Sequence, residues 1–254
     1  MKRYIKNMLL ASAAVMTLCG LSACIDETVP TDEATPATIK TDSKSLSYLA
    51  NSLPSFLTTW NTYNSGDYTQ DWGYPCQMYM RDLLCADFPQ SDNSFNYWDY
   101  IEDGSSLRYA YYYTFYYYYV FIKNANGVIS VGKDAVDGGN EAAKKYLGQG
   151  YGYRAMLYLD LERLFEYKKT GVSYLDKQAD SIGCMGITIP IVTDKTSKVE
   201  LKNNPCAPFY TMNRFIMTDL NRAEENLAGY NREHKAFMDQ SVIYGLKTRL
   251  WLDM

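Results

Sequence analysis

The chain has one histidine, His234, among its 254 residues. That scarcity excludes a multi-histidine metal site and leaves a Ser-His-Asp or Cys-His centre almost nothing to build on. His234 sits in Asn231-Arg232-Glu233-His234-Lys235, which reads as a solvated loop. None of the six cysteines forms a C-x-x-C pair, so zinc-type spacing is absent. Positive charge is not in excess: the formal net charge is −4, which leaves no basic footprint for nucleic acid. The mean hydropathy of −0.33 excludes a polytopic membrane protein. Neither a phosphate loop nor a nucleophile elbow is present. Asp99 with Glu102, or Glu224 with Glu225, could form a glycosidase pair in principle. Neither pair stands at the end of a strand pattern, and Glu224-Glu225 reads as an exposed helix face. The sequence therefore predicts no enzyme, no cofactor and no metal site.

What is abundant is tyrosine, with 25 residues. Hydrophobic residues make up 47% of the chain, enough to bury a substantial core.

The first residues read as an address. Lys2, Arg3 and Lys6 form a positive n-region, and Met8 to Cys19 carries no charge. This is too short for a permanent span and fits a secretory signal. It ends in Leu21-Ser22-Ala23-Cys24, which resembles a bacterial lipobox. Residues 1–23 are then a lipoprotein signal peptide and Cys24 is the lipidation site. An ordinary signal peptide with a chance cysteine is the competing reading. Acyl chains at Cys24 would hold the protein at a membrane, each buried methylene contributing ~0.8 kcal/mol. Ile25-Asp26-Glu27 follows directly, resembling the surface-export signal of Bacteroidetes lipoproteins. Residues 24–40 are rich in Thr, Asp, Glu and Pro and read as a flexible acidic tether. Cys76, Cys85, Cys184 and Cys206 remain beyond it and are expected to be buried thiols, although export permits disulfides.

From residue 41 to 254 the pattern is a single, mainly α-helical domain. Leu46, Leu49, Leu53, Phe56, Leu57 and Trp60 recur at helical spacing, with Pro54 expected to break or kink the segment. Residues 61–106 are loop-like and aromatic, with one helix near Met78 to Leu84. A long helix is predicted from Leu107 to Ile129, and a second from Glu141 to Glu166. Tyr153, Leu157, Leu161 and Leu164 line one face of the second. Gly148, Gly150 and Gly152 weaken it but allow another helix to approach closely. Residues 167–186 read as a loop, 187–192 as extended, and 202–208 as a turn. Two further helices follow, Phe209 to Leu227 and Asp239 to Met254. Antiparallel pairs of this kind stack in tetratricopeptide-type solenoids. The last helix ends without a cap or polar tail, which predicts that more protein packs against it.

Several segments together resemble the SusD/RagB family, surface glycan-binding lipoproteins of Bacteroidetes. The family's hallmark helix, G-E-A-x-F-L-R-A-x-x-Y-F-D-L-x-R-x-F-G, is matched by residues 148–165, including Arg154, Ala155, Asp160, Leu161, Arg163 and Phe165. Ile216, Asp219, Leu220, Ala223 and Leu227 match the next helix, and Val242 to Leu252 the one after. Ile122, Ala125 and Asn126 resemble the Y-x-x-I-x-x-A-N segment. Gly150 and Gly152 depart from the pattern, and Glu166 stands where glycine is usual. The resemblance implies an all-α, tetratricopeptide-like right-handed superhelix with long irregular aromatic loops. Family members are about twice as long, so it also implies the N-terminal half of that fold.

The function implied is non-catalytic binding of oligosaccharide at the outer-membrane surface and delivery to a partner TonB-dependent (SusC-like) transporter, in the service of nutrient uptake. The alternative is a helical-repeat scaffold, or a peptide-binding lipoprotein, that assembles with the transporter without binding glycan. Sugar recognition needs flat apolar faces and polar side chains for hydroxyls. Asp92-Asn93-Ser94-Phe95-Asn96-Tyr97-Trp98-Asp99 has that composition, and in the resembled family aromatics of this region contribute to the sugar site. Trp98 is the leading glycan contact, with Tyr97 and Asn96 beside it; a core aromatic anchoring the loop is the competing reading. Asp87 and Arg81 are further candidates, with a structural ion pair as the alternative. The run Tyr111 to Tyr119 offers a sugar platform as one reading; it is read instead as core packing with hydroxyls reaching the edge, because consecutive helical residues point in all directions and give no single flat face.

Overall fold

The computed structural model describes residues 43–58, 73–83 and 107–254. In chain order these form helices α1 (Ser43–Thr58), α2 (Tyr74–Leu83) and α3 (Leu107–Asp137), a 3₁₀ turn (Glu141–Ala143), α4 (Lys144–Phe165) and α5 (Ser173–Ser181). Strand β1 (Ile187–Pro190), helix α6 (Lys198–Lys202), strand β2 (Cys206–Pro208) and helices α7 (Phe209–Asn226) and α8 (Gln240–Asp253) complete them. The architecture is all-α and tetratricopeptide-like, as the sequence predicts. The signal segment, the acidic tether, Cys24 and residues 84–106 lie outside the described residues.

Helix α4 is the axis of the bundle. It packs most extensively on α7 and α3, and also meets α1, α8 and β1. Buried side chains run almost unbroken from Leu147 to Glu162, so every face is covered. Three glycines make this approach close. A Cβ on Gly148 would lie 2.6 Å from Leu227 Cγ, one on Gly150 2.9 Å from Ile129 Cγ1, and one on Gly152 2.7 Å from Met238 Sδ. Each glycine thus faces a different neighbour, and the helix trades local propensity for contact on three sides.

Neighbouring long helices run antiparallel. Arg154 meets Asp219 and Gly148 meets Leu227, so α4 and α7 are opposed in direction. Phe165 meets Phe115 while Gly150 meets Ile129, and the same holds for α4 and α3. Glu224 accepts hydrogen bonds from Tyr244 and Lys247, which closes the α7–α8 pair. The sequence predicts Met212, Phe215, Ile216, Leu220, Ala223 and Leu227 as the apolar face of α7 and Ile243, Leu246 and Leu250 as that of α8; all are buried except Phe215, which is half-buried. Each such Leu or Ile withdrawn from water contributes about 1.5–3 kcal/mol.

Four expectations are corrected. Helix α1 continues unbroken past Pro54. Pro54 forfeits one backbone hydrogen bond, while Leu46, Ala50 and Leu53 stay fully packed around it. Residues 167–186 contain α5, a short, mostly exposed helix in which only Ala179 is buried. The turn at 202–208 holds β2, which pairs antiparallel with β1, Ile187 opposite Pro208 and Pro190 opposite Cys206. Of the expected buried thiols only Cys76 is buried; Cys184 is half-buried, Cys206 is exposed, and Cys85 is outside the described residues.

Among the described residues no helix is long and apolar enough to cross a membrane.

Candidate functional site

The tyrosine-rich helix α3 has two unlike faces. Tyr117, Tyr118, Phe121 and Ile122 are fully buried. Their hydroxyls are spoken for: Tyr117 donates to the Phe56 carbonyl at 2.7 Å and Tyr118 to Asp160 Oδ2 at 3.3 Å. Half-buried Tyr119 donates to the Pro190 carbonyl at 2.5 Å. Burial pushes all three phenols well above their ordinary range, so they remain neutral donors. This half of the run is core, as the sequence predicts.

The other half is not, and here the core-packing expectation fails. Tyr111, Tyr112, Phe115 and Tyr116 are 45%, 61%, 37% and 44% exposed. The i,i+4 geometry sorts them, because Tyr112 and Tyr116 stand one above the other on the face opposite Phe121. Their rings are parallel to within 2°, with centroids 6.2 Å apart. Beside them Phe165, the last residue of α4, meets Tyr111 at 6.0 Å and the edge of Phe115 at 5.7 Å. Phe115 in turn packs at 4.4 Å on Tyr119. The result is an aromatic surface anchored from below, with two parallel rings facing water.

A surface of this kind can hold the C–H face of a sugar ring, with phenol hydroxyls to bond its hydroxyls. It lies on the first turns of α3, directly after residues 84–106. Trp98, Tyr97, Asn96 and Asp87 fall in that segment, outside the described residues. Arg81 is described. Its Nη1 lies 3.7 Å from Asp160 Oδ1 and its Nη2 donates to Met78 Sδ at 2.9 Å. Asp160 is fully buried and also accepts from Tyr74 at 2.6 Å and from Arg249 at 3.0 Å. Arg81 is thus part of a charged knot joining α2, α3, α4 and α8.

A second polar knot holds the opposite side of α4. Arg154, 2% exposed, donates to both oxygens of Asp219, to Asn126 Oδ1 at 2.7 Å and to Asp194 Oδ1 at 3.2 Å. Its guanidinium carbon lies 5.2 Å from the Phe215 ring centroid. Asn126 and Tyr158 both donate to the Val192 carbonyl, and the Val192 N–H donates back to the Tyr158 hydroxyl. The segment after β1 is fixed by these bonds. The sequence marked Arg154, Asp160 and Asp219 only as motif positions. The missed signal is that charged residues on a helix apolar all round must be buried and paired.

No family model matches the chain, and no curated protein is similar to it in sequence. Solved structures do match. A SusD-like carbohydrate-binding protein from Bacteroides vulgatus aligns with a TM-score of 0.63 at 20% identity, over 82% of this chain and 41% of that protein. A SusD homolog from Bacteroides thetaiotaomicron gives 0.59 at 15% identity, over 86% and 38%. A SusD superfamily protein from Bacteroides fragilis gives 0.58 at 15%, over 84% and 46%. The chain has the SusD-like fold. It spans less than half the length of these proteins.

Proposed function

We propose that this SusD-like chain is a non-catalytic, oligosaccharide-binding lipoprotein of the outer-membrane surface that passes its ligand to a TonB-dependent transporter. The observation that carries this reading is the exposed pair Tyr112 and Tyr116, parallel to within 2°, on a SusD-like scaffold. The two rings stack on each other beside the Tyr111, Phe115 and Phe165 cluster, an aromatic face open to a sugar. Trp98, Tyr97 and Asn96 in the preceding segment supply a second aromatic face and an amide. The lipobox at Cys24 supports a membrane tether, and the acidic residues after it support display at the cell surface. The carbohydrate-binding description of the Bacteroides vulgatus protein supports the ligand class.

The test is titration calorimetry of the mature protein against a panel of neutral oligosaccharides. Replacing Tyr112 and Tyr116 together by Ala, or Trp98 by Ala, should weaken binding by roughly tenfold or more, the scale of one or two lost stacking contacts. Unchanged affinity in both variants overturns the site. New reducing ends after incubation with polysaccharide would overturn the non-catalytic reading. A Cys24→Ser protein that still partitions with outer membranes would overturn the lipid anchor.

A further inference from the structure

Away from the aromatic surface, a cleft of about 340 Å³ opens beside the Arg154 knot. Three elements line it: Lys133 comes from α3, Lys195 from the turn after β1, and Arg222 from α7. The buried ring of Tyr151 forms part of its wall, with the Arg222 guanidinium carbon 5.4 Å from the ring centroid.

The charge in this cleft runs against that of the chain. Arg154 is neutralised by its two bonds to Asp219, which leaves Lys133, Lys195 and Arg222 facing one carboxylate, Asp194, on a protein of net charge −4. Among the described residues neither lysine has a carboxylate within ion-pair distance, and Arg222 reaches only Asp219 Oδ1, at 3.8 Å. Asp194 itself is turned toward Arg154, at 3.2 Å. The turn that presents Lys195 is preformed: the Thr193 N–H donates to Thr196 Oγ1 at 2.9 Å and the Lys195 N–H to Thr193 Oγ1 at 3.2 Å. Three cationic side chains from separate elements thus line one cleft in excess of its carboxylates, and like charges repel one another. An anion entering the cleft relieves that repulsion, and the aromatic wall suits a ring attached to it.

The geometry points to this cleft as a binding site for acidic sugar: a ring bearing a carboxylate or sulfate ester, with the oxyanion among Lys133, Lys195 and Arg222 and the ring against Tyr151. The sugar part of this inference rests on the oligosaccharide reading above; the oxyanion part stands on the cleft alone.

The experiment titrates the mature protein with galacturonate, glucuronate and sulfated galactose trisaccharides, with neutral galactotriose and with inorganic sulfate. Binding of at least one acidic trisaccharide is expected, tighter than both galactotriose and sulfate. It should weaken by about tenfold or more when salt rises from about 50 mM to about 500 mM. It should fall by at least about tenfold in a Lys133→Glu, Lys195→Glu double variant whose thermal unfolding is unchanged. Should that variant not fold, Lys195→Glu alone, on the exposed turn, together with the salt series on the unaltered protein, carries the test. Acidic ligand held equally well by the lysine variants overturns the site, and so does sulfate binding as tightly as any acidic trisaccharide. A protein that binds neutral oligosaccharide and ignores the acidic panel overturns this inference and leaves the previous reading standing. One that binds only the acidic panel supports this cleft, leaves the oligosaccharide reading standing, and overturns only the Tyr112–Tyr116 face as a neutral-sugar site.

Discussion

The Arg154 guanidinium holds the Asp219 carboxylate through two hydrogen bonds, Nε to Oδ2 at 2.7 Å and Nη2 to Oδ1 at 2.9 Å. Both side chains are almost wholly withdrawn from water. Burial pushes the Asp219 carboxyl upward, and the two bonds from Arg154 pull against it. A pair like this contributes little over an apolar replacement, but breaking it leaves one charge stranded. Asp219→Asn should therefore cost about 3–5 kcal/mol in denaturant unfolding, and Arg154→Met a similar amount. The double variant Arg154→Met, Asp219→Leu should cost much less than the sum. A fully additive double variant would show that the two residues act independently.

Tyr74 donates to Asp160 at 2.6 Å from a phenol that burial, first, and the neighbouring carboxylate, second, hold well above its ordinary range. Tyr74→Phe keeps the ring and removes only the donor. About 1–3 kcal/mol of stability should go with it, since the acceptor is charged and buried. Equilibrium unfolding with urea measures this. The same substitution at Tyr174, 69% exposed, should change nothing beyond about 0.5 kcal/mol.

Gly148→Ala and Gly127→Ala should move stability in opposite directions. An added methyl at Gly148 meets Leu227 at 2.6 Å and 2.9 Å, and overpacking of this kind costs about 1–3 kcal/mol. An added methyl on Gly127 meets nothing within 4 Å, and alanine in a helix interior gains up to about 1 kcal/mol. Thermal unfolding of the two variants side by side decides the sign of each.

Glu162 supplies the pH dependence. It is fully buried, beside the Asn213 side chain. Burial, then the charges of Glu166 and Asp253, pushes its carboxyl up to about 7. In the unfolded chain it titrates at the ordinary value of about 4.5. The folded state thus binds the extra proton between those values. Stability falls as pH rises through that window and is level above it. Glu162→Gln should raise the melting temperature near pH 8 and leave it little changed near pH 4. An equal shift at both would show that Glu162 is ionised throughout.

Much of the bundle was legible because α7 carries its apolar residues at clean helical spacing and buries most of them, and because Ile243, Leu246 and Leu250 of α8 stand at helical spacing and are buried, although Trp251 and Leu252 are exposed. Helix α4 was legible as a helix, and its three glycines as points of close approach. The elements that were missed have physical reasons. Helix α5 buries one residue, α6 is five residues long and held by a Ser197–Glu200 capping box, and β2 is three residues ending in a proline. Pro54 was read as a break or kink; the helix does not break there, because the packing of Leu46, Ala50 and Leu53 outweighs the local cost. The candidate site was legible in composition only. Tyr111 to Tyr119 has one sequence texture, yet Tyr111, Tyr112, Phe115 and Tyr116 face water while Tyr117 and Tyr118 are core. That division depends on where α4 ends, at Phe165, which the spacing of α3 alone does not contain.

Helix α4 has a consequence for how the protein comes apart. In a stack where each unit touches only the next, one end can melt while the rest persists. Here the glycine-weakened, charge-bearing central segment has no stability of its own, and α1, α3, α7 and α8 all lean on it. Loosening any flank strands Arg154, Asp160 or a glycine groove in solvent, which in turn loosens the others. The helices packed on α4 should accordingly melt together, with the far- and near-ultraviolet circular dichroism transitions coinciding.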